Sequence, residues 1–284
     1  MSSAAVPADP GLRPALLDGA MGTALLARGL PQGTPPERWL VERPGEIEAV
    51  HRAHAGAGAE VLLTCTFNLA APRIGQLAEA GLGALAARAV RAARAAAPGV
   101  RVAGALGPTG LCGPGQPYVP SEQLREAYRA AAEALAGAGV DLLWLETQWD
   151  AAEASVALAA LRDMALPVVV TFVLRTEAGR LVAPDGTSAE ALLLRAAEGG
   201  AAAAGVNCVE PGPALTALAG YAREHLSIPF VAKPSPGLPG AIRPPEVFAA
   251  ALAPVLAAGV GAVGACCGAT ADHLRAVAAA LGRA

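Results

Sequence analysis

The chain has 284 residues, 54% apolar and 16% charged, with a net charge of −3. That length lies within the range of one α/β barrel and can bury a sizeable core, so it demands no second domain. The slightly acidic balance leaves no basic patch for nucleic acid, and no P-loop or Rossmann glycine pattern precedes a helix. Residues 1–12 read as a short tail with prolines. They lack a basic start leading into an apolar run, so they do not form a secretory signal. Residues 13–284 read as one domain. Within it, short apolar runs fall at 15–18, 60–66, 102–106, 141–146, 168–173, 202–208, 230–233 and 260–266. Between them lie Ala-rich stretches of helical pattern at 46–57, 73–97, 121–138, 151–164, 188–197, 214–225, 245–257 and 271–281. Strict alternation predicts a parallel sheet with right-handed crossovers. Eight repeats close into a single-domain α/β fold, the (β/α)8 TIM barrel. Ser121 reads as the N-cap of the third helical stretch. No apolar run of about 20 residues is free of charges or helix breakers, so no membrane span is expected.

The five cysteines are Cys65, Cys112, Cys208, Cys266 and Cys267. Their odd number and irregular spacing do not make a disulfide framework. They suit a reducing compartment, and hence the cytoplasm, with metal or catalytic use. Cys266 and Cys267 end the last apolar run. Successive side chains of a strand point to opposite faces. Both sulfurs reach one point only at a strand end, where Gly268 lets the backbone turn. Cys208 ends another run. Three thiolates from two strand ends make an open zinc site, with the fourth position left for a substrate. The simpler alternative is that all three are small buried residues.

Chemistry in a TIM barrel sits at the C-terminal strand ends, and here those ends are polar. They read Asp18-Gly19-Ala20-Met21-Gly22-Thr23, Thr64-Cys65-Thr66-Phe67-Asn68, Gly107-Pro108-Thr109-Gly110, Glu146-Thr147-Gln148, Asn207-Cys208, Lys233-Pro234 and Cys266-Cys267. The only lysine, Lys233, and the only two asparagines, Asn68 and Asn207, are among them. Lys233 admits an aldolase-like barrel working through a Schiff base, which leaves the cysteines unexplained. A closed, purely structural metal site would need a fourth protein ligand. The histidines His51, His54, His225 and His273 fall in helices or at their ends, and read as surface or cap residues rather than ligands.

The motifs Asp18-Gly19-Ala20-Met21-Gly22-Thr23, Thr64-Cys65-Thr66-Phe67-Asn68, Gly205-Val206-Asn207-Cys208 and Gly264-Ala265-Cys266-Cys267-Gly268 resemble those of the homocysteine S-methyltransferases, from about Leu16 to Leu281. That family includes betaine- and S-methylmethionine-dependent enzymes and the N-terminal module of cobalamin-dependent methionine synthase. The resemblance implies a (β/α)8 barrel with Cys208, Cys266 and Cys267 as ligands of Zn2+. It implies that Glu146 holds the homocysteine amino group, that Asp18 and Gly19 line the same pocket, and that Thr64 and Asn207 orient the substrate. It implies methyl transfer to the homocysteine thiolate, giving methionine. Ala265 departs from the usual Gly-Gly before Cys-Cys, Ser235-Pro236 replaces Asn-Ala, and Asn68 stands where betaine enzymes carry Tyr. The donor is a small activated methyl compound or, alternatively, a separate corrinoid carrier protein. The aromatics Trp39, Tyr118 and Trp149 lie in or near the mouth loops, where a cationic donor would meet them. The chain stops after the eighth helix, so no cobalamin or folate module of its own is expected.

Overall fold

Runs of Val, Leu and Ala that are apolar on both faces suit strands buried on both sides. Each of the eight expected runs overlaps one. The computed structural model describes residues 15–75, 77, 81–113, 119–237 and 240–283. The expected tail at 1–12 and Tyr118 lie outside the described residues. The strands are β1 (Ala15–Leu16), β2 (Val61–Leu63), β3 (Arg101–Leu106), β4 (Leu142–Gln148) and β5 (Val168–Phe172). A short antiparallel pair follows, β6 (Arg175–Glu177) and β7 (Arg180–Val182). The last three are β8 (Ala203–Asn207), β9 (Phe230–Lys233) and β10 (Ala262–Val263).

All but β6 and β7 pair in parallel, in the order β1-β10-β9-β8-β5-β4-β3-β2. A bridge between Leu17 and Val61 joins the two ends. There Glu60 N donates to Leu16 O at 2.8 Å and Asp18 N to Val61 O at 3.1 Å. The chain is therefore an α/β protein with a single (β/α)8 barrel.

The helices are α1 (Met21–Leu26), α2 (Trp39–Glu42), α3 (Pro44–Gly56), α4 (Leu82–Ala96), α5 (Ser121–Gly137), α6 (Ala151–Leu161), α7 (Ala189–Glu198), α8 (Pro213–His225), α9 (Pro245–Gly259) and α10 (Ala271–Ala280). Helix α4 starts later than the sequence pattern indicates, because Pro72–Ile74 forms a separate 3-10 turn. Ser121 opens α5 but does not cap it; Pro120 holds the cap position with extended backbone. Side-chain caps form at Asp150, accepting from Glu153 N, and at Ser188, accepting from Ala191 N, and a capping box joins Thr270 and His273 at the start of α10. No helix among the described residues is long and apolar enough to cross a membrane.

Two apolar layers hold the fold. Leu17, Leu63, Trp144, Val169 and Val231 fill the barrel interior. The indole N–H of Trp144 donates to Thr171 Oγ1 at 3.0 Å, so its burial strands no donor. The larger layer lies between strands and helices and includes Leu16, Val102, Leu143, Val170, Val206 and Phe230. Cys65 belongs to that outer layer: alternation continued from the interior Val61 and Leu63 would have turned it inward, but β2 ends at Leu63 and the chain bends, Thr66 N donating to Thr64 O at 2.9 Å.

The histidines divide. His225 is exposed at the end of α8. His273 is a cap residue, its Nδ1 accepting from Thr270 N at 3.2 Å. His51 and His54 are not surface residues: they are 0% and 3% exposed. Three residues apart on α3, they share one helix face, and that face packs beneath the end of β1. His54 Nε2 lies so close to Gly19 that a Cβ there would stand 2.9 Å from it, which is why position 19 carries no side chain.

Candidate metal centre and substrate pocket

Strand β8 ends at Asn207, and the next residue, Cys208, takes φ +56. That left-handed turn breaks the strand alternation, so sequence neighbours 207 and 208 meet: Asn207 Nδ2 lies 3.5 Å from Cys208 Sγ. The backbone N–H of Cys208 donates to Lys233 O at 3.1 Å, and that of Cys266 to Pro234 O at 2.9 Å. The end of β9 thus fixes both cysteine backbones. Gly268, at φ +84, turns the chain just beyond Cys267, where any Cβ would stand 2.4 Å from Gly237 O.

The three sulfurs lie within 4.8 Å of one another, and among the described residues no fourth His, Cys, Asp or Glu joins them. Cys208 and Cys266 Sγ are in bonding contact, and Cys208 Sγ lies 3.7 Å from Cys267 Sγ. Burial, helped by the charge of Glu146, pushes the Cys267 thiol above its usual range. A soft divalent cation suits such a donor set, because it would stabilise thiolates that burial alone disfavours.

Beside the sulfurs opens a cavity of about 390 Å3, lined by Asp18, Gly19, Thr64, Glu146, Lys233 and the three cysteines. The strand ends therefore bring every expected site residue but one to the same cavity. Asn207 does not line it. Its amide is fully buried, with Oδ1 accepting from Thr147 N at 3.0 Å and Nδ2 donating to Thr147 Oγ1 at 2.6 Å. Nδ2 also lies 3.8 Å from Cys266 Sγ. Asn207 orients the sulfurs and the end of β4. Thr64 does line the cavity, with Oγ1 2.6 Å from Thr66 Oγ1 and accepting from Ala105 N at 3.0 Å.

The floor carries charge. Lys233 Nζ donates to Asp18 Oδ1 at 2.8 Å and to Glu146 Oε1 at 3.4 Å. Asp18 Oδ2 accepts from Leu63 N at 2.8 Å. Burial alone would lower the Lys233 ammonium, but Asp18 and then Glu146 outweigh it and hold it above its ordinary range. Burial raises the Glu146 carboxyl; Lys233 works against the rise and Asp18 adds to it. A lysine so paired is a counter-ion. A Schiff base needs the neutral amine, whereas Asp18 and Glu146 favour the ammonium.

Several participants carry no sequence signal. Glu37 is fully buried in the 3-10 turn Pro36–Arg38. Its Oε1 accepts from Asn68 N at 2.7 Å and its Oε2 from Asn68 Nδ2 at 2.9 Å. Asn68 Oδ1 in turn accepts from the Arg73 guanidinium. All three line the cavity. Thr147 takes φ +59, where β4 shifts register between Leu145 and Gln148. For a β-branched residue that backbone is costly, and Asn207 holds it there. Of the expected aromatics, Trp39 is buried in the outer core, while Trp149 is 39% exposed.

Comparisons with known proteins agree with this geometry. Residues 15–281 match the profile of the homocysteine S-methyltransferase family. Methionine synthase from Mycobacterium leprae is 31% identical over 94% of the chain, and that from Mycobacterium tuberculosis 31% identical over 93%. The chain spans only 24% of the length of either relative. The metallated form of the homocysteine methyltransferase MmuM from Escherichia coli superposes with a TM-score of 0.78 and 29% identity, covering 94% of this chain and 96% of that one. Its apo and oxidised forms give TM-scores of 0.74 and 0.77. The carboxyl transferase domain of Rhizobium etli pyruvate carboxylase, at 18% identity and a TM-score of 0.56, shares the fold alone.

Proposed function

The chain belongs to the homocysteine S-methyltransferase family of enzymes, and from that premise we propose that it transfers a methyl group from a small activated donor to homocysteine, giving methionine. The observation that supports this most is the convergence of Cys208, Cys266 and Cys267 within 4.8 Å, open on the side of a cavity floored by paired carboxylates. These three cysteines would hold Zn2+. A bound zinc would keep the substrate sulfur in its reactive thiolate form at neutral pH, where a free thiol is only slightly ionised.

The chain's own residues do the positioning. Glu146, partly exposed to the cavity, takes the substrate ammonium. Asp18, its two oxygens already bonded to Lys233 and Leu63 N, shapes the pocket through charge. Gly19 and Thr64 line the space beside it, and Asn207 steadies the sulfurs. No general base is assigned, because the carboxylates act on the ammonium and not on the thiol. The thiols require a reducing setting, which supports a cytoplasmic home.

Methionine formation by the zinc-loaded protein from homocysteine, offered S-methylmethionine, S-adenosylmethionine, betaine and methylcobalamin in turn, tests the proposal. Turnover with none of these, alone or with a corrinoid protein, would refute it. The likeness to one stretch of the methionine synthases supports a second reading, in which the chain activates homocysteine for a separate corrinoid carrier. Turnover only with methylcobalamin or its carrier would favour that one.

A further inference from the structure

We propose that Lys233 is the internal counter-cation of the amino-acid pocket, holding Glu146 until the substrate ammonium takes its place there. This rests on the homocysteine reading above.

Lys233 is the chain's only lysine among 21 basic residues. Its side chain is 2% exposed. An ammonium is a compact charge with three donors, able to serve two carboxylates from one point, whereas a guanidinium is a broad planar fork. The two contacts differ. Asp18 is 2% exposed, bonded at 2.8 Å, and its second oxygen is held by Leu63 N, so it cannot turn away. Glu146 makes one longer contact at 3.4 Å and its side chain is 16% exposed. Glu146 is therefore the partner free to exchange. Two carboxylates and one ammonium leave a single negative charge facing the cavity. A substrate with a free ammonium neutralises it, and a thiol without one leaves it buried and uncompensated. The two carboxylates thus set the pocket for primary-amine thiols, and Lys233 competes for Glu146 while keeping the empty pocket from holding two bare carboxylates.

The single lysine makes a direct test possible. Protein labelled with 15N-lysine carries one side-chain ammonium signal, that of Lys233. The zinc-loaded chain is titrated with L-homocysteine and with 4-mercaptobutyrate, its counterpart without the amino group, and calorimetry records the binding of each. Homocysteine should shift the Nζ resonance at saturation, and 4-mercaptobutyrate should leave it in place. Homocysteine binding with no shift overturns the proposal. Failure of homocysteine to bind at all overturns the homocysteine reading, and the proposal with it. In Lys233→Met, the ratio of homocysteine to 4-mercaptobutyrate affinity should rise at least tenfold, and homocysteine should raise Tm by more than it does in the wild type. An unchanged ratio and an equal rise would also overturn it. If this variant fails to fold, the labelled wild-type protein still decides.

Discussion

Asn207 grips Thr147 at both ends of its amide: Oδ1 accepts from Thr147 N at 3.0 Å and Nδ2 donates to Thr147 Oγ1 at 2.6 Å. One side chain thereby ties β8 to the bulged end of β4, and its amide nitrogen faces the sulfurs of Cys208 and Cys266. Asn207→Asp replaces the donor with a carboxylate. It can no longer donate to Thr147 Oγ1, and it adds negative charge beside the thiols. Zinc affinity should fall roughly 10- to 100-fold, the usual size for a partner that orients metal ligands. Competition with a chromogenic chelator measures this. Unchanged affinity would remove Asn207 from the metal centre.

Glu146→Gln should cut kcat/KM for homocysteine by roughly ten- to a hundredfold, from the loss of one charge-assisted contact worth about 1.5–3 kcal/mol. Zinc content should not change. The preference for homocysteine over a thiol lacking the amino group should vanish. If Glu146 only supports the fold through Lys233, the variant will instead lose thermal stability, and the wild type will show no such preference.

Cys65→Ser separates the cysteines. Cys65 is 3% exposed in the layer between strands and helices; it borders the same cavity but does not join the three converging sulfurs. A hydroxyl there finds apolar neighbours and should cost about 1–3 kcal/mol of stability. Zinc stoichiometry, by metal analysis of the folded protein, should match the wild type. Metal loss equal to that of Cys266→Ser would mean that the ligand set is wrong.

His51 gives a pH dependence with a definite sign. Burial lowers its pKa from 6.5 to about 4, with Asp18 opposing and His54 adding to the effect. Between those values the unfolded chain binds more protons than the folded one, so stability rises with pH. The contribution of this group is present above pH 6.5 and is lost as pH falls toward 4, by on the order of 3 kcal/mol. Among the described residues neither ring nitrogen has a hydrogen-bond partner. His51→Leu should therefore leave stability at pH 7.5 unchanged or higher, and should flatten the fall across that window. Denaturant melts at several pH values check it. An equal slope in both proteins would show that His51 does not titrate with folding.

What was legible in the sequence follows from what is local. The barrel was legible because apolar runs and Ala-rich stretches alternate, and each run overlaps a strand. Cys208, Cys266 and Cys267 stood out because their residue type is rare and they gather at the ends of two runs. The Lys233–Asp18 pair was not legible: its members are 215 residues apart and meet only because the ring closes through Leu17 and Val61. Glu37 lies in a 3-10 turn too short to leave a period. The positive φ of Thr147 has no compositional mark, since nothing about a threonine announces left-handed backbone. His51 and His54 were misplaced because residue type argued for solvent, while their three-residue spacing put them on the inner face of α3.

In the proposed centre, three cysteines hold a zinc ion with one position open to the sulfur of homocysteine. Zinc K-edge X-ray absorption on the reduced, zinc-loaded protein tests it most directly, before and after saturation with homocysteine. Three sulfurs and one light atom are expected before, and four sulfurs after. A sulfur count that does not change when homocysteine is bound would contradict it.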